Sequence, residues 1–161
     1  MISSLKPAFD KDGTITAAKA SSISDGAAAL VMTGRSVADR LGLPIIARVV
    51  ATAAHAQKPD AFTTAPGPAM RKVLAKAGWA VDDVDLFEVN EAFAVVAMIA
   101  ANDLGIPADK LNVNGGATAL GHPIGASGAR ILATLMGACG MGSDARRRQP
   151  VHWTARIAVV R

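Results

Sequence analysis

The stretch that decides the fold runs from Asn112 to Arg130 and reads N-V-N-G-G-A-T-A-L-G-H-P-I-G-A-S-G-A-R. It places five glycines around a single histidine, His122, and it opens onto an apolar helical pattern. So much glycine costs backbone entropy on folding, which suggests tight turns or the close approach of another group. A glycine-rich turn before a helix is also common, so these residues equally fit a plain connection that carries a surface histidine.

Length and composition indicate one domain with a core of small aliphatic side chains. The chain has 161 residues, of which 51% are hydrophobic and 4% aromatic. The longest uncharged apolar run, 92–101, is ten residues long, whereas a membrane span needs roughly 20. The first residues do not have the pattern of a signal peptide. Since Cys139 is the single cysteine, no internal disulfide can form, and a cytoplasmic protein without a membrane segment is predicted.

The net charge of +4 comes entirely from the end of the chain. Residues 144–161 carry five Arg and one Asp, whereas residues 1–143 carry 12 basic and 12 acidic side chains. A nucleic-acid site needs basic residues clustered on a folded face, so no nucleic-acid partner is expected. We therefore divide the chain into a domain, 1–143, and an aberrant Arg-rich tail, 144–161.

Apolar periodicity and turn residues predict alternating strands and helices. Strands are predicted at 27–32, 45–51, 84–89 and 111–113, and helices at 35–41, 69–77, 91–104 and 126–136. Residues 55–68, with three prolines, are predicted to form a loop. This alternation indicates an α/β fold in which helices cover a sheet.

Polar residues follow two of the predicted strands. Asn90 and Glu91 come directly after the strand at 84–89, and His122 follows the next strand. One interpretation is structural, with Asn90 capping a helix and Glu91 favouring its N-terminal dipole. The other is functional, because the carboxyl ends of neighbouring strands meet at one sheet edge. An Asn-held water and an imidazole N–H would there form an oxyanion hole.

These motifs together resemble the thiolase family of acetyl-CoA acetyltransferases. The resemblance rests on N-E-A-F-A at 90–94, on the stretch 112–130, and on L-K-P-A-F at 5–9, D-G-T-I-T-A at 12–17 and D-G-A-A-A-L-V-M at 25–32. It covers the C-terminal half of such an enzyme. It implies a mixed five-stranded sheet covered by helices, in which the last strands of this chain are doubtful. The spacing of the glycines does not fit the alternative of a dinucleotide-binding motif.

The resemblance also implies a reaction and a set of site residues. Thiolases join two acetyl-CoA molecules by Claisen condensation, or cleave a 3-ketoacyl-CoA with free CoA, as in fatty acid metabolism. The implied catalytic residues are His122, which activates the nucleophilic cysteine, and Asn90, which holds the oxyanion-hole water. The implied CoA-binding residues are Ser21, Phe9, Ala92 and Phe93. The coenzyme A thioester is the substrate, and neither a metal nor a cofactor is expected. The intact family implies a homo-oligomer.

Both cysteines of the family's mechanism are missing. The nucleophile belongs to the N-terminal half, and the family's spacing puts the acid/base cysteine near His152. Cys139 matches no motif and is expected to be a core residue. Read one nucleotide out of frame, the codons for 151–154 permit the family's C-I-G, so we hypothesise a frameshift between about 136 and 149. The chain is then either half of a thiolase that works with a separate N-terminal half, or an inactive fragment that at most binds CoA or a thiolase partner.

Overall fold

The computed structural model describes residues 4–140 and the backbone of residues 157–160. Five helices and two strands lie in this part of the chain. The helices are α1 Arg35–Leu41, α2 Pro66–Ala77, α3 Ala94–Leu104, α4 Ala117–Leu120 and α5 Ser127–Ala138, and the strands are β1 Leu86–Val89 and β2 Ile157–Val160. Short 3-10 turns occupy Ala17–Lys19, Pro59–Thr64, Val81–Asp83 and Ala108–Lys110. An α/β organisation is thereby confirmed.

The helices were predicted well where glycine ends them. Helix α1 has the predicted bounds, and Gly42, Gly78 and Gly105 follow α1, α2 and α3 in the left-handed conformation that favours glycine. Helix α2 begins at Pro66, three residues before the prediction. Proline is tolerated in the first turn of a helix, where its missing N–H would have no partner anyway, so the prolines taken for a loop actually open this helix.

The sheet is smaller than predicted. Strands β1 and β2 pair in parallel, with Leu86 opposite Ile157, and an isolated parallel bridge joins Phe87 to Leu111. In the described residues this is a two-stranded sheet, not the mixed five-stranded one. Residues 27–32 and 45–51 belong to no strand. Their β-branched and apolar pattern selects extended chain, but a strand also needs a hydrogen-bonded neighbour, which the described chain does not provide for them.

Strand β2 lies inside the segment that the sequence analysis set aside as a tail. The remainder of that segment, residues 144–156 and 161, lies outside the described residues, as does His152. The domain boundary at residue 143 and the frameshift hypothesis therefore stay predictions.

One apolar core holds the helices against β1. Phe87 and Val89 of β1 are 1% exposed, and they pack with buried side chains of α2 and α3. The other core members are Ala69, Met70, Leu74, Val84, Val96, Ala97, Ala100 and Ile106. Helix α5 contributes Ile131 and Leu135, which are also buried. We call residues 66–138 the packed body.

Residues 20–58 are different, and we call them the extended arm. Apart from α1, they form extended chain that contacts the packed body near its two ends. His122 donates its backbone N–H to the Ser22 carbonyl (2.8 Å), and Lys72 and Lys76 donate to the carbonyls of Ala54 and Thr52. Between these contacts many apolar side chains face solvent. They are Val31, Met32, Leu41, Leu43, Ile45, Ile46, Val49 and Val50.

Candidate functional site

Asn90 lies immediately beyond the carboxyl end of β1. The interpretation of Asn90 as a helix cap is wrong, because α3 begins at Ala94 and its N-cap residue is Phe93. Glu91 is likewise outside the first turn of α3. Neither side chain therefore caps α3. Both side chains instead contact residues of the glycine-rich stretch.

The imidazole of His122 meets the Asn90 amide. Asn90 Nδ2 lies 3.2 Å from His122 Nε2. The other ring nitrogen, Nδ1, lies 2.7 Å from the Ser127 hydroxyl at the start of α5. Two polar groups that are 32 residues apart in the chain thus converge, as the sequence analysis expected of neighbouring strand ends. The catalytic roles assigned to them stay predictions.

The Asn90 amide has an unused acceptor. Its Oδ1 is buried and accepts no hydrogen bond from the described part of the protein. Buried polar atoms are nearly always hydrogen-bonded, because leaving one unpaired costs about 1–3 kcal/mol. A water or ligand that donates a hydrogen bond would fit beside Oδ1, in contact with the same amide that touches His122.

Asn112, which was not predicted as a site residue, holds the backbone next to Asn90 in place. Its Oδ1 accepts the backbone N–H of Val89 (2.8 Å), and its Nδ2 donates to the carbonyl of Val89 (2.9 Å). The Asn112 side chain thereby hydrogen-bonds both backbone polar groups of Val89, as the backbone of a neighbouring strand would. Asn112 itself has a φ of +46°, a conformation that asparagine tolerates better than most residues. The available signal was an asparagine three residues before a glycine, at the start of a turn in which Gly115 donates its N–H to the Asn112 carbonyl.

Glu91 ties the start of the glycine-rich stretch to the same strand end. Its carboxylate accepts hydrogen bonds from Asn112 Nδ2 (2.9 Å) and from the backbone N–H of Thr118 (3.1 Å). A Cβ on Gly116 would overlap this carboxylate. Any larger residue there would displace the Glu91 carboxylate from its hydrogen bonds, which agrees with the close-approach interpretation of the stretch.

Three of the four predicted CoA-binding residues lie together beside this centre. Ser21 donates its hydroxyl to the Ala92 carbonyl (2.9 Å) and its backbone N–H to the same oxygen (3.2 Å). Ala20 forms an isolated antiparallel bridge with Phe93. The start of the arm thus lies along residues 92–93, so that Ser21, Ala92 and Phe93 are neighbours. The hydroxyl of Ser21 is engaged within the chain.

The fourth, Phe9, joins an aromatic group around Phe93. The rings of Phe9 and Phe93 meet edge to face with centroids 5.8 Å apart, and Phe62 lies at the same distance from Phe93 in a tilted arrangement. Phe9 is 74% exposed. Phe62 was not predicted, because it lies in a segment that was expected to be a loop. Together the three rings form an apolar wall close to Asn90.

A buried ion pair lies behind the site. Glu88 of β1 accepts a hydrogen bond from Arg130 Nη1 of α5 (3.2 Å), and the glutamate side chain is 2% exposed. Burial raises the pKa of the Glu88 carboxyl above its ordinary value of 4.5, while the Arg130 guanidinium opposes that rise. The pair joins the strand that carries Asn90 to the helix that carries Ser127.

Cys139 has neither the place nor the ionisation of a nucleophile for His122. It follows the C-terminal end of α5, whereas His122 precedes the helix, and a helix of 12 residues is about 18 Å long. Burial, with the Asp85 carboxylate as a smaller cause, raises the pKa of its thiol above 9.0. The thiol is only partly buried, so it lies at the edge of the packing and not in the core as expected.

The residues that the structure describes include no group of three metal-ligating side chains. Within the same residues, no helix combines the length and apolar character that a bilayer crossing requires.

Comparisons with known proteins agree over most of the chain. Residues 43–144 match the family model of the thiolase C-terminal domain, and residues 1–36 match that of the thiolase N-terminal domain. The sequence analysis expected the C-terminal half alone, so the second match adds a segment similar to the N-terminal domain.

Individual relatives are similar over about 84% of the chain. Acetyl-CoA acetyltransferase of Chromobacterium violaceum is 53% identical over 135 residues, which are 84% of this chain and 34% of that protein. Acetyl-CoA acetyltransferase 2 of Arabidopsis thaliana is 54% identical over 134 residues, 83% of this chain and 33% of that protein. The crystal structure of Bacillus anthracis acetyl-CoA acetyltransferase superposes with a TM-score of 0.83 at 42% identity, covering 86% of this chain and 35% of that one. The chain spans about a third of the length of these relatives.

Proposed function

The chain belongs to the thiolase family, and we propose that it supplies the histidine and asparagine side of a thiolase-type acyl-transfer site. The relatives named acetyl-CoA acetyltransferase suggest the chemistry, which is Claisen condensation of acetyl-CoA or thiolysis of a 3-ketoacyl-CoA. One observation carries the proposal, the contact between Asn90 Nδ2 and His122 Nε2 at 3.2 Å.

In this proposal His122 is the base that activates a nucleophilic thiol. Nε2 removes the thiol proton, and the resulting N–H then points to the oxygen of the thioester, where negative charge develops. Asn90 supports that oxygen through a water held by its amide, whose Oδ1 has an unused lone pair. Two donors on one developing oxyanion lower the barrier to attack on the thioester.

The pantetheine arm of CoA would lie along the aromatic side of the site. Ser21, Ala92 and Phe93 form one edge, and Phe9 extends it. Since a thioester of coenzyme A is itself the substrate, the proposal requires no separate cofactor. A cytoplasmic location fits the mouse relative, which is named acetyl-CoA acetyltransferase, cytosolic, and is 49% identical over 82% of this chain.

In this proposal the thiol is supplied by the N-terminal half of a thiolase, which these 161 residues do not contain. Cys139 lies beyond the far end of α5 with its thiol pKa raised, so the missing N-terminal half is the proposed source. The apolar middle of the extended arm, with Val31 96% exposed, is the surface against which that half would pack. In the intact family this assembly is further expected to form a homo-oligomer.

The alternative is a catalytically inactive fragment that binds CoA or a thiolase partner. On this alternative no thiolase N-terminal half supplies a nucleophile, and without the nucleophile and the second acid/base only binding and polarisation remain. On this alternative His122 and Asn90 still converge, but they contact the thioester without turnover.

The acylation half-reaction separates these two functions. The full chain would be mixed with the complementary two-thirds of the Chromobacterium violaceum enzyme and [14C]acetyl-CoA, and acetylation of the complement's cysteine followed by mass spectrometry. We expect labelling that requires this chain and that falls roughly 100-fold or more in His122→Ala. His55→Ala is the matched control, because that ring contacts Gln57 and Lys72 instead of the site.

Labelling that is independent of this chain, or equal in His122→Ala, would contradict the acyl-transfer proposal. Calorimetric titration of the chain alone with CoA decides the alternative. Binding without labelling identifies an inactive CoA-binding fragment.

A further inference from the structure

The buried hydroxyl of Ser127 has no place in the function proposed so far. Ser127 is the first residue of α5 and is 1% exposed. Its Oγ lies 2.7 Å from His122 Nδ1 and 3.1 Å from the carbonyl oxygen of Pro123. A serine in the first turn of a helix commonly bonds the carbonyl four residues earlier, and here the histidine lies on the other side of the same hydroxyl.

The hydrogen atoms along this row can be assigned from chemistry. In the assignment that we favour, the one hydrogen of the Ser127 hydroxyl goes to the Pro123 carbonyl, which also accepts the backbone N–H groups of Ala126 (2.8 Å) and Ser127 (2.9 Å). The lone pairs of Ser127 Oγ then face His122 Nδ1, so Nδ1 carries the one hydrogen of the neutral ring. Nε2 of a neutral imidazole is left with its lone pair, and it faces Asn90 Nδ2, a group that only donates. Every contact in the row then pairs one donor with one acceptor.

The opposite tautomer breaks this row. If Ser127 donated to Nδ1, the hydrogen on Nε2 would face the hydrogens of the Asn90 amide at 3.2 Å. That arrangement requires the amide to turn over as well, which would leave Nδ2 in place of Oδ1 as the unpaired buried atom.

We infer that Ser127 is a positioning residue that holds neutral His122 in the tautomer with hydrogen on Nδ1, so that Nε2 keeps its lone pair and accepts from Asn90 Nδ2 when no substrate is bound. The inference rests on the proposed function only for its consequence. A nitrogen that keeps its lone pair can exchange the Asn90 N–H for a thiol and take the thiol proton, whereas a nitrogen that already carries hydrogen cannot. Ser127 also fixes the plane of the ring, because a ring held at Nδ1 cannot turn Nε2 away from Asn90.

The test reads the tautomer directly. Ring 15N shifts of His122 would be recorded on the full chain, without CoA, at about pH 8.5, where ordinary imidazoles are neutral. A ring nitrogen that carries hydrogen and one that does not have clearly different shifts. We expect hydrogen on Nδ1 in the wild-type chain, and in Ser127→Ala a change of roughly 2- to 12-fold in the tautomer ratio towards Nε2–H, the effect of one ordinary hydrogen bond.

Thr134→Val is the matched control. It removes a hydroxyl from the same helix, at a place where that hydroxyl accepts from Arg130 and does not contact His122, and it should leave the ratio unchanged. Hydrogen on Nε2 in the wild-type chain would overturn the inference even if the alanine variant failed to fold. An unchanged ratio in folded Ser127→Ala would overturn it too. The tautomer is measured without substrate, so its result does not depend on the acetylation assay. The tautomer inference and the acyl-transfer proposal can therefore fail independently.

Discussion

The packed body and the extended arm contain similar apolar side chains in opposite surroundings. Phe87 in the body is 1% exposed, whereas Val31 in the arm is 96% exposed. In the body, α2, α3 and β1 each offer an apolar face to the others. In the arm, hydrogen bonds anchor the two ends, and most of the large apolar side chains between them are exposed, although Ala38 of α1 is buried.

This difference shows where the chain is self-sufficient. Burial stabilises a fold by about 25 cal/mol per Å² of apolar surface removed from water. The arm buries little apolar surface, so this stabilisation is small there. A chain that spans about a third of its relatives leaves their other elements unaccounted for. The body thus contains its own stabilising contacts, and the arm depends on contacts from outside the described chain.

The largest expected effect tests the contrast itself. Phe87→Ala should lower the free energy of unfolding by about 3–5 kcal/mol, because it leaves a cavity in a closed core. Val31→Ala should change it by less than about 0.5 kcal/mol. Urea denaturation of both variants followed by circular dichroism measures the difference. Equal losses would mean that the arm is packed in solution, for instance against a second copy.

A smaller effect tests whether side-chain hydrogen bonds stabilise the edge of the packed body. Asn112→Ala should cost about 2 kcal/mol, since the N–H and C=O of Val89 both lose a partner. Asn114→Ala, at an exposed position of the same stretch, is the control and should stay within about 0.5 kcal/mol of the wild type. A similar stability of the two variants in urea would show that water replaces the Asn112 side chain at no cost.

The junction between arm and body can be tested with two glycines of the arm. A Cβ on Gly26 would lie 2.9 Å from Pro123, whereas one on Gly34 would meet nothing within 4 Å. Gly26→Ala should loosen this junction by about 1 kcal/mol, and Gly34→Ala by a few tenths at most. Hydrogen exchange of the His122 amide, which donates to Ser22, should then be roughly fivefold faster in the first variant only. Equal exchange rates would show that the arm is not held against the glycine-rich stretch.

The smallest effect concerns pH and the buried Glu88. Its raised pKa means that the folded state holds the proton more tightly than the unfolded state does. The resulting stabilisation is complete below the ordinary pKa of 4.5 and is lost as the pH rises through the raised value. Relative to Glu88→Gln, which does not titrate, the wild type should therefore become less stable as the pH rises above the ordinary pKa of 4.5. A difference that is constant over this range would show that Arg130 cancels the effect of burial.

Much of the helical structure followed from local rules. Gly42, Gly78 and Gly105 end their helices because a residue without Cβ adopts the left-handed conformation at little cost. The beginnings were less certain. Pro66 opens α2, although proline usually indicates a loop, and Asn90 does not cap α3, although asparagine is a preferred cap. In the second case the side-chain contacts with His122 and with the glycine-rich stretch outweigh the local preference.

The convergence of Asn90 and His122 was predicted from neighbouring strand ends, although only an isolated bridge at Leu111 stands in place of the second strand. The groups that hold them in place were not. Asn112 and Ser127 are ordinary loop and helix residues in the sequence, and Glu91 suited a helix end equally well. The partners of Glu91 are 21 and 27 residues away and those of Asn112 are 21 and 23 residues away, so spacing along the chain does not reveal them. Ser127 is five residues from His122, but the spacing does not show that its hydroxyl meets the ring.

The sequence by itself determined the family, most helix ends and the pair of residues at the centre of the site, because each depends on a motif or on the conformational preference of single residues. Only the tertiary structure decided which apolar segments are buried, which side chains orient the pair, and which carboxylate lies against Gly116. Those outcomes depend on what lies opposite each residue in space, which local preference along a chain does not specify.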